Sequence, residues 1–228
     1  MSQFGALTDH FSMATADLIL IDSKIEDDPL SRADAQDENG DIAAATWFGN
    51  TAKALKTASC TYALKSGTVS LSTFVLGEIA TGVFVESINP STSNSDWPKV
   101  EVSGKLGTET ITNDAGKTYT LPTLSLSGIK RAQEMGFTTG TGCRLTASSF
   151  SASVDLAQVE DGLGEPAAHG VSGGVGEGSA DFVGITAAPA WTVDLADATE
   201  TKAPGEAEPQ AAYHTGSGTY EIILERGI

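Results

Sequence analysis

The stretch Gly170-Val-Ser172-Gly-Gly174 has the spacing of a nucleophile elbow, in which a serine attacks an acyl carbon. Asp194 or Asp197, and then His214, follow in the order of a hydrolase triad. The elbow needs a buried strand before the serine and a helix after it. Glycine-rich sequence surrounds Ser172 on both sides, and it predicts a flexible loop at Gly170–Gly178 instead. We therefore predict no catalytic residues and expect that the protein is not an enzyme.

A second candidate, Ala115-Gly-Lys-Thr118, has the ending of a phosphate-binding P-loop. The P-loop requires a glycine where this chain has Ile111, and it requires a helix after the Lys-Thr step. Thr118 instead begins a segment with strand character. We predict no cofactor-binding residues.

Metal ligands are also poorly placed. Asp34, Asp37, Asn39 and Asp41 are spaced oxygen ligands that could suit calcium. They do not fit the register of an EF-hand loop, because Gly40 is followed directly by Asp41 and no glutamate lies at the twelfth position. A solvated hairpin turn explains these residues better. The histidines are far apart and none is near a cysteine: His10, His169 and His214. We predict no metal site and no cofactor.

Cys60 and Cys143 lack a second thiol or a histidine at zinc-ligand spacing. We expect small, buried side chains, with a disulfide between the two as the alternative. Trp47, Trp97 and Trp191 are expected in the core or in a subunit interface rather than in a platform for a ligand.

Charge excludes one class of partner. The chain has 228 residues, 13 basic and 30 acidic, with a net charge of -17. Residues 1–144 have a net charge of -6, and residues 145–228, which contain only Lys202 and Arg226 as basic groups, have -11. Nucleic-acid binders need Lys and Arg to neutralise phosphates, so specific nucleic-acid binding is not expected. The first ten residues do not resemble a secretory signal and no apolar run is long enough to span a bilayer, so we expect a soluble protein without membrane contact.

The elements that would position these residues are mostly strands. Glycines and short Ser/Thr runs interrupt the sequence about every 8 to 12 residues, as in an all-β sandwich or barrel. The predicted strands are Leu18–Glu26, Ala58–Leu64, Thr68–Leu76, Ile79–Ile88, Lys99–Leu106, Tyr119–Leu126, Cys143–Val159, Phe182–Ala187, Trp191–Leu195 and Thr219–Glu225. The four from Ala58 to Leu106 are expected to form an antiparallel meander. Within Ala58–Leu64, the alternation assigns Ala58, Cys60, Tyr62 and Leu64 to one face.

Turns and loops complete the prediction. Asn39-Gly40 predicts a hairpin turn, because both residues tolerate positive φ. Ile129–Met135 predicts one short helix, which begins after Ser127 and ends at Gly136. Residues 26–41 and 160–180 are expected to be long polar loops, and Ala198–Ala211 a solvated loop. The fold class is thus mainly β: an antiparallel β-sandwich or barrel with one short flanking helix.

Domain organisation has two alternatives. Residues 1–112 are expected to form a β-domain with an extended acidic loop, and 113–228 a second β-rich domain or a continuation of the same sandwich. Asp22-Ser-Lys-Ile-Glu-Asp27 is similar to Asp155-Leu-Ala-Gln-Val-Glu-Asp161 with one insertion. If the similarity reflects duplication, the chain would contain two related β-domains.

Several stretches resemble the tail-associated structural proteins of tailed bacteriophages, and the tail tube proteins in particular. They are Asp22–Glu26, Ala35–Ala43, Gly77–Ile88 continuing to Asn94–Val102, Ser151–Asp155 and Asp161–His169, which together cover under half of the chain. The resemblance implies a β-sandwich or barrel in stacked hexameric or trimeric rings, contact with other virion proteins, and assembly in the host cytoplasm into the virion. An acidic lumen would let DNA pass without adhesion.

The function expected from this resemblance is that of a virion structural protein, most specifically a phage tail tube protein that self-assembles through β-rich interfaces. Capsid decoration or a neck protein is the first alternative. An adhesin-like carbohydrate-binding β-module is the second, although three scattered tryptophans favour it only weakly.

Overall fold

A computed structural model gives the fold of the chain. It describes residues 7–26, 31–36, 42–48, 55–106, 111–112, 119, 121–126, 132–160, 162, 166–184, 189–195, 198–202, 208–209 and 213–224.

The strands are β1 (Leu18–Glu26), β2 (Ser31–Gln36), β3 (Ile42–Phe48), β4 (Lys56–Leu64), β5 (Gly67–Ser70), β6 (Ile79–Ala80), β7 (Val83–Ser93), β8 (Lys99–Leu106), β9 (Ile111–Thr112), β10 (Thr123–Leu126), β11 (Phe137–Thr139), β12 (Cys143–Glu160), β13 (Pro166–Gly184), β14 (Trp191–Val193), β15 (Ala198–Lys202), β16 (Glu208–Pro209) and β17 (His214–Ile223). A 3₁₀ helix, Leu71–Phe74, follows β5. The fold is mainly β, as predicted.

One sheet of eleven strands dominates the fold. Its main order is β1-β4-β8-β7-β12-β13-β17-β15, and β6, β9 and β16 pair with β7, β13 and β17 respectively. The pairs are antiparallel except β9 with β13. Three two-stranded sheets, β2-β3, β5-β10 and β11-β14, complete the described pairing. Because β7 pairs with β12, the large sheet includes strands from both sides of the predicted boundary at residue 112. The division into domains and the duplication stay predictions.

Alternation in the sequence correctly predicted several strands and their core faces. β1 and β8 have the predicted bounds, and β12 differs from the predicted strand by one residue. In β4 the four residues assigned to one face are all buried: Ala58, Cys60, Tyr62 and Leu64. Val100 and Val102 of β8 face the same core. The hairpin predicted around Asn39-Gly40 is confirmed by the antiparallel pairing of β2 with β3, although the turn itself lies outside the described residues.

The flexible loop predicted at Gly170–Gly178 is wrong. These residues form the middle of β13, a strand of 19 residues paired with β12 and β17. The glycines allow core aromatic rings to approach the strand: a Cβ on Gly178 would lie 2.1 Å from the Tyr220 ring. The long polar loop predicted at 160–180 is therefore wrong from Pro166 onward.

The predicted helix at Ile129–Met135 is wrong over its described part. Ala132–Glu134 are not helical, and Met135 and Gly136 form a turn with φ of 33° and 86°. The backbone of Gln133 binds to two strands instead, since its N–H donates to Thr92 Oγ1 and its carbonyl accepts from Ser148 Oγ. These contacts compete with the bonds that a helix would make.

Other predicted elements are divided differently. Thr68–Leu76 is β5 followed by the 3₁₀ helix, and Ile79–Ile88 contains a turn at Thr81-Gly82 between β6 and β7. The meander is wrong in its order, because β4 pairs with β8 and β5 pairs with β10. Two predicted loops contain strands: 26–41 includes β2, and Ala198–Ala211 includes β15 and β16.

Candidate functional site

The structure does not bring Ser172 and His214 of the rejected serine triad together. Ser172 lies inside β13 rather than at a turn between a strand and a helix. His214 pairs with Gly184 at the far end of the same strand. At about 3.3 Å per residue, the twelve residues from Ser172 to Gly184 separate the two by roughly 40 Å. The nucleophile elbow is therefore excluded by the course of β13.

Only part of the other candidate ligands lies within the described residues. Ala115–Thr118, Asp37, Asn39 and Asp41 lie outside the described residues, and Asp34 is on β2. His169 is buried in β13, with Nε2 3.2 Å from Gln158 Oε1, and burial lowers its pKa. Among the described residues, the structure has no group of three or more His, Cys, Asp or Glu side chains that could hold a metal ion.

Both cysteines are free thiols, so the disulfide alternative is wrong. Cys60 is buried and its Sγ lies 3.7 Å from the Thr8 carbonyl oxygen, whereas Cys143 is half-buried. Burial raises the pKa of both thiols, which keeps them protonated near neutral pH.

The tryptophans do not form a common platform. Trp191 is in the core, as predicted, and stacks on Phe182 with ring centroids 4.6 Å apart. Trp97 is 40% exposed in the turn before β8. The side chain of Trp47 lies outside the described part of the structure.

A hydroxyl-rich outer face is the most extensive polar feature of the large sheet. Serines and threonines project from neighbouring strands and bind each other across them: Ser87 Oγ with Ser103 Oγ at 2.7 Å, Ser149 Oγ with Ser179 Oγ at 2.8 Å, and Thr201 Oγ1 with Thr219 Oγ1 at 2.7 Å. Ser151 Oγ also donates to Asn89 Oδ1 at 2.8 Å. Such cross-strand hydroxyl pairs stabilise sheets. The face is polar without being strongly basic or apolar.

We did not predict this face, although the sequence has a signal for it. Ser149, Ser151 and Ser153 alternate with the buried Phe150 and Ala152, the period-two pattern of a half-buried strand.

A groove of about 360 Å³ lies on this face over β12, β13, β17 and β15. Its lining includes five Ser or Thr residues together with Glu177 and Glu221. The two glutamates are direct partners in the pairing of β13 with β17. Like charges directly opposite each other are unfavourable for the sheet, so their presence is not explained by stability. Chemically, the groove offers hydroxyl groups and negative charge.

Charge is distributed unequally over the sheet. Strands β1, β4, β7 and β8 contain four lysines and four acidic residues, which balance. Strands β12, β13, β15 and β17 contain two basic and six acidic residues. The second group therefore has a net charge of -4, and it includes the glutamates of the groove.

The β1 edge is open and partly apolar. In the described sheet β1 pairs with β4 on one side only. Ile19, Ile21 and Ile25 of this strand are 43%, 43% and 47% exposed. An edge strand with free backbone groups and exposed isoleucines is a template for pairing with another chain.

A scan against protein-family models and a search of curated proteins found no match to this chain. In the described residues, none of the helical segments has the length and apolar character that a membrane crossing requires.

Proposed function

We propose that this chain is a virion structural protein of a tailed bacteriophage, most specifically a tail tube protein that assembles into stacked rings with an acidic lumen. The observation that carries the proposal is the large antiparallel sheet, with its excess of acidic residues over β12, β13, β15 and β17. A surface of this charge lets DNA slide past without binding, through like-charge repulsion.

Self-assembly is supported by the edge of the same sheet. Among the described strands β1 pairs with β4 alone, and it has exposed isoleucines. A strand of a second copy can add there and continue the sheet from one subunit to the next. Head-to-tail contacts of this kind close into rings when the rotation between copies permits it. In this proposal the partners are other copies of the chain and other virion proteins.

Electron microscopy of negatively stained protein, together with light scattering, tests the proposal. Rings or tubes with a central hole are the expected result, and their symmetry distinguishes trimers from hexamers. A monomer at high concentration would contradict the proposal. A small closed oligomer without stacking would instead favour a capsid decoration or neck protein.

A matched pair of variants tests the edge. Replacing Ile19 and Ile25 with threonine keeps β-branched residues on β1 but removes apolar contact area, so ring formation should be lost. The same change at Val175 and Ile223, which are 43% and 63% exposed and lie on inner strands, is the control and should leave rings intact. Equal loss of rings in both variants would mean that β1 is not a specific interface.

The carbohydrate-binding alternative is less well supported. The groove has hydroxyl groups that suit a sugar, but the aromatic residue in its lining, Tyr220, is 1% exposed. Trp97 and Tyr213, which are exposed, are not in that lining. Stacking of a sugar on an aromatic face has no surface available in this groove.

A further inference from the structure

The segment before β1 covers part of the core without joining the sheet. Residues 7–13, named here the N-terminal latch, are assigned to no strand. Phe11 of the latch is 1% exposed. Its ring lies above β8, where a Cβ on Gly104 would be 3.1 Å from Phe11 Cε1. The latch therefore inserts an aromatic ring at a place where the strand has no side chain.

A single carboxylate joins the latch to β4. Asp9 Oδ1 accepts a hydrogen bond from Tyr62 Oη at 2.5 Å, and Asp9 Oδ2 accepts one from the Ala14 N–H at 2.7 Å. Burial and the bond to Asp9 raise the pKa of Tyr62, so its hydroxyl remains a donor. Hydrogen bonds to a charged group are stronger than neutral ones. This bond is the strongest polar attachment that the structure describes between the latch and the sheet.

Within the described part of the chain, the remaining attachments are few. The Thr8 N–H donates to Ser23 Oγ at 3.2 Å, Thr81 Oγ1 donates to the His10 carbonyl at 3.4 Å, and the Cys60 thiol donates to the Thr8 carbonyl at 3.7 Å. The sheet, in contrast, is held by continuous ladders of backbone bonds. Segments with few contacts open at a lower free energy than the core does.

We propose that the N-terminal latch opens as a unit while the sheet stays folded, and that the bond between Asp9 and Tyr62 keeps it closed. Opening uncovers the Cys60 thiol and the surface of β8 beneath Phe11. Residues 14–17 join the latch to β1, and the Thr15 N–H donates to the Leu18 carbonyl at 2.8 Å at the junction. Its position therefore controls the open edge strand. This last consequence rests on the proposed function, whereas the opening itself does not.

Thiol labelling measures the opening. In a Cys143→Ser background, Cys60 is the remaining thiol of the chain, and its reaction with an aromatic disulfide reagent is followed over a series of urea concentrations. The expected rate depends on urea less steeply than global unfolding does, because opening the latch exposes little surface. The protein concentration is kept where light scattering shows one species, so the result is independent of ring formation.

Two tyrosine variants separate the latch from the core. Tyr62→Phe removes the donor to Asp9 and should speed Cys60 labelling about ten-fold or more. Tyr220→Phe removes a comparable bond in the other half, from Tyr220 Oη to the Met135 carbonyl at 2.6 Å, and should lower global stability without speeding labelling in dilute urea.

Three results would overturn the inference. One is labelling that follows global unfolding at every urea concentration, and another is equal acceleration by the two variants. The third is an unchanged labelling rate in Tyr62→Phe. If the microscopy experiment shows no rings, the labelling results are unaffected. The proposed function and the proposed opening of the latch can therefore be contradicted independently.

Discussion

In the N-terminal half of the large sheet (β1, β4, β8 and β7), the strands face the core mainly with apolar side chains, whereas in the C-terminal half (β12, β13, β17 and β15) two strands face it with a mixture of apolar side chains and glycines. β4 and β8 supply Tyr62, Leu64 and Val102 to the core. β13 and β17 supply Phe182 and Tyr220 together with the buried Gly178 and Gly218, and aromatic rings occupy the space above these glycines.

The difference shows that a strand can be buried without an apolar pattern of its own. Tyr220 packs against Phe137 with ring centroids 5.0 Å apart and against Phe150 at 6.2 Å. These large rings fit because the strands beneath them have no Cβ at the points of contact. The N-terminal half is therefore sensitive mainly to lost volume, except at Gly104 beneath Phe11, whereas the C-terminal half is also sensitive to volume added at several strand glycines.

The largest predicted effect is that of Gly178→Ala. Its Cβ would lie 2.1 Å from the Tyr220 ring, which is fixed between two other aromatic rings. Overpacking of this kind costs about 3 kcal/mol or more at a rigid site. We expect a large fall in the free energy of unfolding, measured by urea denaturation.

Gly173→Ala is the matched control for Gly178→Ala, because it lies in the same strand and a Cβ there meets nothing within 4 Å. We expect a change within about 0.5 kcal/mol. A similar loss in both variants would mean that β13 needs glycine for its backbone rather than for the approach of Tyr220.

The second prediction concerns the polar end of the same aromatic cluster. Tyr220→Phe keeps the ring but leaves the Met135 carbonyl without its buried donor, which costs about 1–3 kcal/mol. Burial raises the pKa of Tyr220, so the hydroxyl is a donor throughout the neutral range. Denaturation monitored by circular dichroism measures the loss. No loss of stability would show that the turn at Met135 and Gly136 does not depend on this bond.

The same contrast explains what the sequence could predict. Alternation of apolar and polar residues identified β4, β8 and β12, because each supplies its own core face, whereas β1 was identified by its apolar residues. It failed for β13, since Gly170–Gly178 has no apolar period and its burial depends on aromatic rings up to 42 residues away. Local sequence predicts conformational freedom at a glycine, but not that another residue will occupy the space beside it.

The groove and its acidic strands show the same limit of prediction from local sequence. The excess of acidic residues in 145–228 is evident from the sequence. Six of these acidic residues lie on β12, β13, β15 and β17. The pairing of Glu177 with Glu221 depends on the register of two strands 44 residues apart. Long-range register of this kind is not encoded in a local pattern. The absence of a serine triad was predicted for a partly wrong reason, because Ser172 lies in a strand and not in a loop.

A third prediction tests the N-terminal half. Ile88 of β7 is fully buried, and Ile88→Val removes one methylene from a core formed by side chains. The expected loss is about 0.5–1.5 kcal/mol, measured by urea denaturation. Ala152 pairs with Ile88 across the junction of the two halves, so Ala152→Gly is a useful companion variant of similar size. A gain of stability in Ile88→Val would show that this half is overpacked, which would remove the contrast.

The smallest predicted effect is a difference in the pH ranges over which the halves lose stability. In the C-terminal half, burial lowers the pKa of His169 from 6.5, so the unfolded chain binds the proton first. Stability should therefore begin to fall as the pH drops below 6.5. In the N-terminal half, burial by itself raises the pKa of Asp9. The hydrogen bonds from Tyr62 and from nearby backbone N–H groups together have the larger effect, and they lower this pKa below 3.8. The stability from Asp9 is present above pH 3.8 and is lost as the pH falls through the lowered value.

Two variants separate these ranges. His169→Gln should flatten the stability curve below pH 6.5 and leave the more acidic range unchanged, whereas Asp9→Asn should do the reverse. Urea denaturation at intervals from pH 7.5 to 3 measures both. A change in both pH ranges with either variant would mean that the substitution acts beyond the titration of its own group, which would contradict the assignment of each range to one residue. An Asp9 range that also appears in Cys60 labelling would mean that the latch is an independent part of the N-terminal half.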